Sequence, residues 1–436
     1  MKYLESSLKI ILSKIHDCGA LVKVKGTNIA ISIQLVGVNL LKIKPFLYLL
    51  LNNLESAYFI TIEGIPYCLM PDAAEHIIYT GGGKKNYTKH KCCQECKYAD
   101  ICPGWPKNTQ KILPRSIKEL PKEIILEITG KCNLRCQLCF NKRDESEMPF
   151  GKIKNVIDEC SDLSIKSIRF TGGEPLLHSN IEEILKYAKY KNLYVILNTN
   201  ATFLDKRIKK LMKNYVDNIL ISMQGFNPAS ERKLTRSKIN FLKKIRNIIE
   251  LNRIVPVVRI GSIISRTLVK NFYKYFYIIE KANIKNWELY RPMIKAKNEE
   301  YIIKHDDFIK VMYAIQASKK HGKEIKIANS VPFCITENMS LSRHTLLGSN
   351  SDDGHSRMVL DTKLFFKPSY FIKKNLGVKI EAAWKSHFLK KIRSLSYLPA
   401  ECRRCYELKW CKGGSRHWAK IANKSYFARD PLMKNA

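Results

Sequence analysis

Acidic residues are scarce in this chain. It has 39 aspartates and glutamates against 76 lysines and arginines among 436 residues, which gives a formal net charge of +37. Local basic runs occur at Lys84 to Lys97 and Lys243 to Arg246. Such an excess is typical of proteins that bind RNA or acidic lipids, and also of solvated lysine-rich faces. Because no arginine-rich or aromatic-interleaved nucleic-acid motif accompanies the charge, we favour solvated faces and expect no nucleic-acid partner.

A long hydrophobic run is also missing. The most apolar stretch, Val36 to Leu51, is interrupted by Lys42, Lys44 and Pro45. It falls short of the roughly 20 apolar residues that a membrane-spanning helix needs. The first residues show neither the apolar core nor the small-residue cleavage site of a signal peptide. We therefore expect a cytoplasmic protein with no membrane partner.

Cysteine, in contrast, is plentiful, with 14 residues. The cytosol keeps thiols reduced, so this number favours metal ligation over disulfides. Cys132, Cys136 and Cys139 follow one another at CxxxCxxC spacing. Three thiolates can hold three corners of a four-iron cube and leave the fourth iron open for a ligand. The three cysteines alone would also allow a structural zinc site.

A second motif follows a short apolar strand that begins near Ser167. Gly172, Gly173, Glu174 and Pro175 come directly after it, and paired glycines expose backbone groups that a small polar ligand can reach. Together the two motifs resemble the radical S-adenosylmethionine (SAM) superfamily. The resemblance implies a [4Fe-4S] cluster on the three cysteines and a Gly-Gly-Glu-Pro loop that holds the SAM amino group, and it makes zinc the weaker alternative. Leu138 departs from the family, which usually has an aromatic residue there.

The region from about 123 to 290 alternates strand-like and helix-like runs. Such alternation predicts an α/β fold of parallel βα units with right-handed crossovers. It matches the partial (βα)6 TIM-type barrel that the resemblance implies, with the active site at the carboxyl ends of the strands. The predicted strands are 124–128, 168–170, 194–198, 219–223, 255–264 and 287–290.

The same rule suggests further SAM-binding residues at strand ends. Asn198 ends the third predicted strand, and Ser222 matches the serine that the family places near the SAM carboxylate. Gln224 stands where the family usually has an acid. A basic partner for the carboxylate is chemically expected, and Arg236 is the candidate, with an exposed arginine at a helix start as the alternative. Further polar residues near the strand ends are Asn200 and Arg259.

Cysteines repeat a second pattern on both sides of the predicted barrel. Each flank has an isolated cysteine behind an apolar-Pro-aromatic step, followed by a CxxCxxxxxCxG group. Four thiolates close a [4Fe-4S] cube or a tetrahedral zinc site, so we predict one auxiliary metal site in each flank. The predicted ligands are Cys68, Cys93, Cys96 and Cys102 upstream, and Cys334, Cys402, Cys405 and Cys411 downstream.

The downstream copy resembles the SPASM or shortened "twitch" extension of radical SAM maturases. A full SPASM region holds two clusters, but Ser415 and Ser369 stand where two of its cysteines would be, so we expect one cluster there. Cys92 leaves the upstream register ambiguous, whereas Cys18 and Cys160 are predicted to be buried small side chains. The predicted domains are 1–118 with one auxiliary site, 119–320 as the radical SAM core, and 321–436 with the other auxiliary site.

The resemblance implies an enzyme that reductively cleaves SAM to a 5'-deoxyadenosyl radical, with ferredoxin or flavodoxin as electron donor. We expect a peptide or protein substrate. The alternatives are an enzyme of tetrapyrrole or molybdopterin-type cofactor biosynthesis and a non-catalytic metal protein that binds RNA. No acid–base residue follows from the sequence.

Residues 22–33 alternate around a Gly-Thr-Asn turn and predict a hairpin.

Overall fold

The structure is a computed structural model of the chain. It divides into two compact units, Met1–Glu119 and Leu120–Ala436. The residues it describes are 11–18, 20–25, 30–34, 40–54, 59–78, 87–96, 98–106, 120–141, 143–293 and 299–433.

The N-terminal unit is built around a four-stranded sheet of order β1-β2-β3-β4. β1 and β2 pair antiparallel, which confirms the predicted hairpin, although its turn lies outside the described residues. α2 buries Ile43, Leu47 and Leu50 at helical spacing. The described elements of this unit are α1 (11–17), β1 (Leu21–Lys25), β2 (Ala30–Gln34), α2 (Leu40–Leu54), β3 (Phe59–Glu63), β4 (Ile77–Ile78), β5 (Tyr87–Thr88) and β6 (Trp105–Pro106).

The second unit alternates strands and helices, as predicted. Its strands are β7 (Glu123–Thr129), β8 (Ser167–Gly172), β9 (Tyr194–Thr199), β10 (Asn218–Ser222), β11 (Val257–Ile263), β12 (Asn286–Tyr290), β13 (Glu324–Ile327), β14 (Arg357–Leu360) and β15 (Phe366–Lys367). Its helices are α3 (Phe150–Asp162), α4 (Ile181–Tyr190), α5 (Lys206–Tyr215), α6 (Pro228–Thr235), α7 (Phe241–Ile254), α8 (Arg266–Lys281), α9 (His305–Ser318), α10 (Met339–Thr345), α11 (Ile380–Trp384), α12 (His387–Ser394), α13 (Ala400–Arg403), α14 (Leu408–Cys411) and α15 (Arg416–Asn423).

These nine strands form one sheet of order β13-β12-β11-β10-β9-β8-β7-β14-β15. All neighbours are parallel except β14 and β15. The six predicted strands, β7 to β12, are consecutive in this sheet, which confirms the α/β class. The sheet also continues beyond the six predicted strands, since β13 extends one edge and β14 and β15 extend the other.

The sheet continues across the predicted boundary at residue 320, since β13 to β15 belong to it. The C-terminal region therefore shares a sheet with the predicted core, and the assignment of three functional regions stays a prediction. Across the described residues, no helix is long and apolar enough to cross a membrane.

Apolar and charged side chains lie on opposite faces of the sheet. Ile124, Leu126 and Phe170 are fully buried in the main core, which the helices complete. Because side chains alternate along a strand, Glu123 and Arg169 face the other way. Arg169 donates to both carboxylate oxygens of Glu123, at 2.9 and 3.0 Å, and to Oδ1 of Asn198 at 3.1 Å. This second face of the sheet therefore carries ion pairs between neighbouring strands.

We expect Arg169→Met to lower the free energy of unfolding by about 3 kcal/mol, because it leaves the buried Glu123 carboxylate without its bidentate partner. The matched control is Arg207→Met, which removes an exposed 3.3 Å pair with Glu182 and should cost less than about 1 kcal/mol. Denaturant unfolding of both variants beside the parent measures the difference. Equal effects would show that the ion pair between Arg169 and Glu123 does not hold the strands together.

Candidate active site

The loop that carries Cys132, Cys136 and Cys139 begins at Gly130, directly after β7. Its middle is fixed to the end of α6. The backbone N–H of Arg135 donates to Thr235 O at 3.2 Å, and that of Gln137 donates to Leu234 O at 3.1 Å. Both residues that flank the second cysteine are therefore held by α6.

The three thiols of this loop lie close enough to influence one another. Burial raises the pKa of Cys136 to about 12, and the neighbouring thiols of Cys139 and Cys132 add to the rise. The sulfur of Cys132 accepts a hydrogen bond from the N–H of Leu134 at 3.4 Å. Iron would replace the thiol protons, since a coordinating thiol is deprotonated. Three adjacent thiols on one loop fit a group that is bound through three thiolates.

No three His, Cys, Asp or Glu side chains converge as ligands of a single metal ion among the residues that the structure describes.

The paired glycines lie against the start of the cysteine loop. A β-carbon at Gly172, where φ is 136°, would lie 2.3 Å from Thr129 O. A β-carbon at Gly173 would lie 2.1 Å from Lys131 O. The N–H of Gly173 also donates to Thr129 O at 2.7 Å. The glycines thus let β8 approach the backbone just before the first cysteine, a contact that sequence reasoning did not foresee.

Glu174 joins the ends of two neighbouring strands. Its buried carboxylate accepts hydrogen bonds from Leu176 N at 3.2 Å, Thr199 Oγ1 at 2.7 Å and Asn200 N at 2.8 Å. Burial raises the pKa of Glu174, and these donors oppose the rise. Pro175 is buried in the following turn. A contact of this loop with SAM stays a prediction.

The turn after β10 is organised by a buried acid that the sequence did not reveal. Glu231, fully buried in α6, accepts from Gln224 N at 2.9 Å and from the N–H of Gly225. Its other oxygen accepts from Lys244 Nζ at 2.6 Å, and that lysine is 1% exposed. Gln224 donates to Ser222 Oγ at 2.9 Å. The amide at position 224 therefore orients the serine predicted near SAM.

Lys244 also lies near enough to the cysteine loop for its positive charge to oppose the rise in the pKa of Cys136. The sequence does contain a signal for the burial of Lys244, because this lysine lies on the apolar stripe of its helix. It follows Phe241 by three residues and precedes Ile248 by four, and both are buried.

The remaining predicted SAM residues are placed differently from one another. Asn198 Oδ1 accepts a hydrogen bond from Arg169, which also pairs with Glu123. Asn200 Nδ2 donates to Asn133 Oδ1 at 2.8 Å, so it touches the cysteine loop. Arg236 is an exposed left-handed residue (φ 51°) that ends α6, not a helix start. Their roles toward SAM stay predictions.

The downstream cysteines influence one another's protonation in the C-terminal region. Burial raises the pKa of Cys402, and the neighbouring thiols of Cys334 and Cys405 add to the rise. Burial raises the pKa of Cys411 to about 11, opposed by N–H groups of Phe333, Gly413 and Gly414 that donate to its sulfur, while Cys334 adds to it. The thiol of Cys334 thus lies near those of Cys402 and Cys411, and its role as a metal ligand stays a prediction.

Two serines occupy positions where a second SPASM cluster would need cysteine. Ser369 Oγ donates to Asp353 at 3.1 Å, and Ser415 N donates to Asp430 at 2.7 Å. Both serines are buried in this polar network.

The upstream cysteines Cys68, Cys93, Cys96 and Cys102 line one cavity in the N-terminal unit. Cys160 is fully buried on α3 and Cys18 packs against the N-terminal core. The side chain of Cys92 lies outside the described residues.

A second, small cavity, of about 20 Å³, lies on the face of the main sheet that carries Arg357. We call it the chamber, and its lining includes Ile125, Asp352, Asp353, Arg357, Tyr370 and Phe371. Phe140, directly after Cys139, packs on two of these rings, with centroid distances of 4.8 Å to Tyr370 and 5.4 Å to Phe371. The cysteine loop therefore contacts the wall of the chamber.

Comparison with known proteins agrees with this geometry. Residues 126–268 match the model of the Radical SAM superfamily. The chain is 28% identical over 152 residues to GTP 3',8-cyclase of Aquifex aeolicus, and the aligned region covers 33% of this chain and 48% of that protein. It is 37% identical over 111 residues to an uncharacterised protein of Methanocaldococcus jannaschii, and the aligned region covers 24% of this chain and 39% of that protein. The chain thus spans less than half the length of these relatives.

Two solved structures resemble the fold over a larger share of the chain. SuiB of Streptococcus suis bound to the precursor peptide SuiA has a TM-score of 0.58 at 16% identity, over 73% of this chain and 77% of that one. The anSMEcpe protein with bound AdoMet and the Cp18Cys peptide has a TM-score of 0.55 at 16% identity, over 70% and 92%. At these identities the likeness shows the fold alone.

Gly173→Ala should displace the cysteine loop, because its β-carbon would lie 2.1 Å from the carbonyl oxygen of Lys131. We expect the anaerobically reconstituted variant to lose about four irons per chain, the content of one cluster. Gly151→Ala is the matched control, since a β-carbon there meets no atom within 4 Å. Iron analysis of both variants measures the effect, and full iron content in Gly173→Ala would contradict the role given to the glycine.

Proposed function

Because residues 126–268 form a radical SAM domain, we propose that this protein is a radical SAM enzyme that modifies a peptide or protein substrate. The observation that carries the proposal is the contact between the cysteine loop and the chamber. Phe140 follows the third cysteine and packs on Tyr370, which lines the chamber. A substrate group that reaches the chamber would thus lie beside the loop that carries the three cysteines.

A four-iron cluster with one open iron, when reduced, supplies the cleavage of SAM to a 5'-deoxyadenosyl radical. Cys132, Cys136 and Cys139 would hold it. Gln224 keeps Ser222 oriented at the end of β10, where the serine would receive the SAM carboxylate. The loop from Gly172 to Pro175 closes the site beside the first cysteine, and Arg236 is the proposed basic partner of the carboxylate.

The chamber suits a neutral substrate with hydrogen-bonding groups. Arg357, the basic residue among its described lining, is already paired with Asp352 at 3.0 Å. Tyr370 Oη is buried without a hydrogen-bond partner among the described residues. Burial raises the pKa of Tyr370 to about 12, so the phenol stays protonated near neutral pH and can donate. A peptide amide offers the acceptor that such a donor needs, because a buried polar group without a partner is costly.

The second candidate function is a step of cofactor biosynthesis, which the similarity to GTP 3',8-cyclase favours. That similarity covers a third of this chain. A nucleoside triphosphate carries several negative charges and is usually met by unpaired arginines and lysines. The chamber lining instead combines one paired arginine with Asp352 and Asp353. The lining charge therefore supports the peptide proposal over a triphosphate.

We also propose one auxiliary cluster in the C-terminal region. Its ligands are Cys334, Cys402, Cys405 and Cys411. Four thiolates leave no iron open, so this site would carry electrons and not bind the substrate directly.

Replacement of Cys132, Cys136 and Cys139 together by alanine should reduce 5'-deoxyadenosine formation to the level of a protein-free blank. The reason is that the remaining cysteines cannot provide a cluster with an open iron. Anaerobic incubation with dithionite and SAM, followed by chromatography, measures the product. Cys160→Ala, in the core of the same unit, is the control and should keep activity. Undiminished cleavage in the triple variant would disprove the assignment.

GTP should leave the rate of 5'-deoxyadenosine formation unchanged, because the chamber lacks unpaired cations among its described lining. The assay compares reduced protein and SAM with and without GTP, with ATP as the control for general polyanion effects. Consumption of GTP in step with 5'-deoxyadenosine formation would reject the peptide proposal in favour of cofactor biosynthesis.

A further inference from the structure

The four upstream cysteines surround a cavity that belongs wholly to the N-terminal unit. Cys68, Cys93, Cys96 and Cys102 all contribute to its lining, together with Tyr67 and other residues. The matched family region begins at residue 126, so the radical SAM resemblance does not account for this cavity. Its chemistry must be read from its own residues.

The isolated cysteine of each flank occupies the same kind of turn. In the N-terminal unit, Leu69 N donates to Pro66 O at 2.9 Å. In the C-terminal region, Ile335 N donates to Pro332 O at 3.1 Å. Each cysteine is the third residue of its turn. The repeated Pro-aromatic-Cys sequence thus folds alike in both places.

The CxxC pairs also share their backbone hydrogen bonds. Cys96 N donates to Cys93 O at 3.2 Å, and Cys405 N donates to Cys402 O at 3.0 Å. A second turn of the same type follows each pair, with a backbone hydrogen bond from the third residue after the second cysteine back to that cysteine. Ala99 N donates to the carbonyl of the second upstream cysteine at 2.9 Å, and Leu408 N to that of the second downstream cysteine at 3.1 Å.

The last cysteine of each group closes a turn of the same length. Cys102 N donates to Tyr98 O at 2.8 Å, and Cys411 N donates to Glu407 O at 2.8 Å. Two residues later each group has a glycine with positive φ, 105° upstream and 75° downstream. The upstream glycine, Gly104, has no room for a β-carbon, which would lie 2.2 Å from Thr88 O. Both cysteine groups therefore share one backbone design.

The cavity between the upstream thiols distinguishes a cluster from a single ion. Thiolates around one zinc ion, at about 2.3 Å from it, touch one another and leave no space between them. Here the four thiols line one small cavity, and among the described residues no three of them converge as ligands of a single ion. Lys89 also lines this cavity, with its Nζ donating to Ala99 O at 2.5 Å. A lysine beside the thiols suits a group that is negatively charged overall.

We infer that Cys68, Cys93, Cys96 and Cys102 bind a four-iron cluster, in a site built on the same backbone design as the C-terminal one. Four protein thiolates occupy all four irons, so the cluster has no open position for SAM or substrate. Its chemistry is limited to gaining one electron from a low-potential donor protein and giving one electron up. The inference does not depend on the proposed reaction.

Iron analysis in a background without the radical SAM cluster tests the inference. The full chain with Cys132, Cys136 and Cys139 replaced by alanine should retain about eight irons. Addition of Cys93→Ser and Cys96→Ser should lower this value by about four irons. The matched pair Cys402→Ser and Cys405→Ser should lower it by the same amount.

Cys18→Ser is the control, because Cys18 packs on the N-terminal core away from the cavity lining. It should change the iron content little.

A second measurement keeps all N-terminal cysteines intact, so it does not rely on a variant that might misfold this unit. With the three radical SAM cysteines replaced, and Cys402 and Cys405 replaced as well, the N-terminal site is the remaining four-thiolate site. After dithionite reduction we expect an electron paramagnetic resonance signal of a reduced [4Fe-4S] cluster at about one spin per chain. About one zinc per chain, or the absence of both iron and signal, would overturn the inference, whatever the outcome of the SAM-cleavage assay.

Discussion

Glu231 and Lys244 form a fully buried ion pair in contact with both parts of the candidate active site. The glutamate holds the backbone of the turn after β10, and its helix α6 ends in the carbonyl groups that fix the residues on both sides of Cys136. A buried charge that loses its partner is strongly destabilising. The position of the turn after β10 relative to the cysteine loop therefore depends on this pair.

The C-terminal region completes the site instead of forming a separate body. β14 pairs with β7, and the segment after β15 brings Tyr370 and Phe371 onto Phe140 of the cysteine loop. Lys367 of β15 reaches across to the carboxylate of Glu127 at 2.7 Å, at the end of β7 from which that loop departs. The chamber is thus lined by residues from both the predicted core and the predicted C-terminal region.

The sequence predicted the local elements well and the long-range contacts poorly. Alternating apolar runs located β7 to β12, because each strand and helix carries its own periodicity. The pairing of β14 with β7 left no such local signal, since it joins Arg357 to Glu123 across most of the unit. From its sequence alone, the basic run that contains Lys244 is interpreted as solvent-exposed. The spacing of Lys244 from Phe241, however, places it on the buried stripe of α7. Repeated cysteine spacing also predicts Cys334 as a ligand of the downstream group, and that assignment stays a prediction.

We propose that Cys132, Cys136 and Cys139 bind a cluster with one open iron that SAM occupies. The most direct measurement uses the variant with Cys93, Cys96, Cys402 and Cys405 replaced by serine, so that this cluster is observed alone. Its electron paramagnetic resonance spectrum after reduction should change on addition of SAM, and SAM labelled with ¹⁵N at the amino group should show coupling to the cluster. An unchanged spectrum with no nitrogen coupling, in protein that retains about four irons, would contradict the claim.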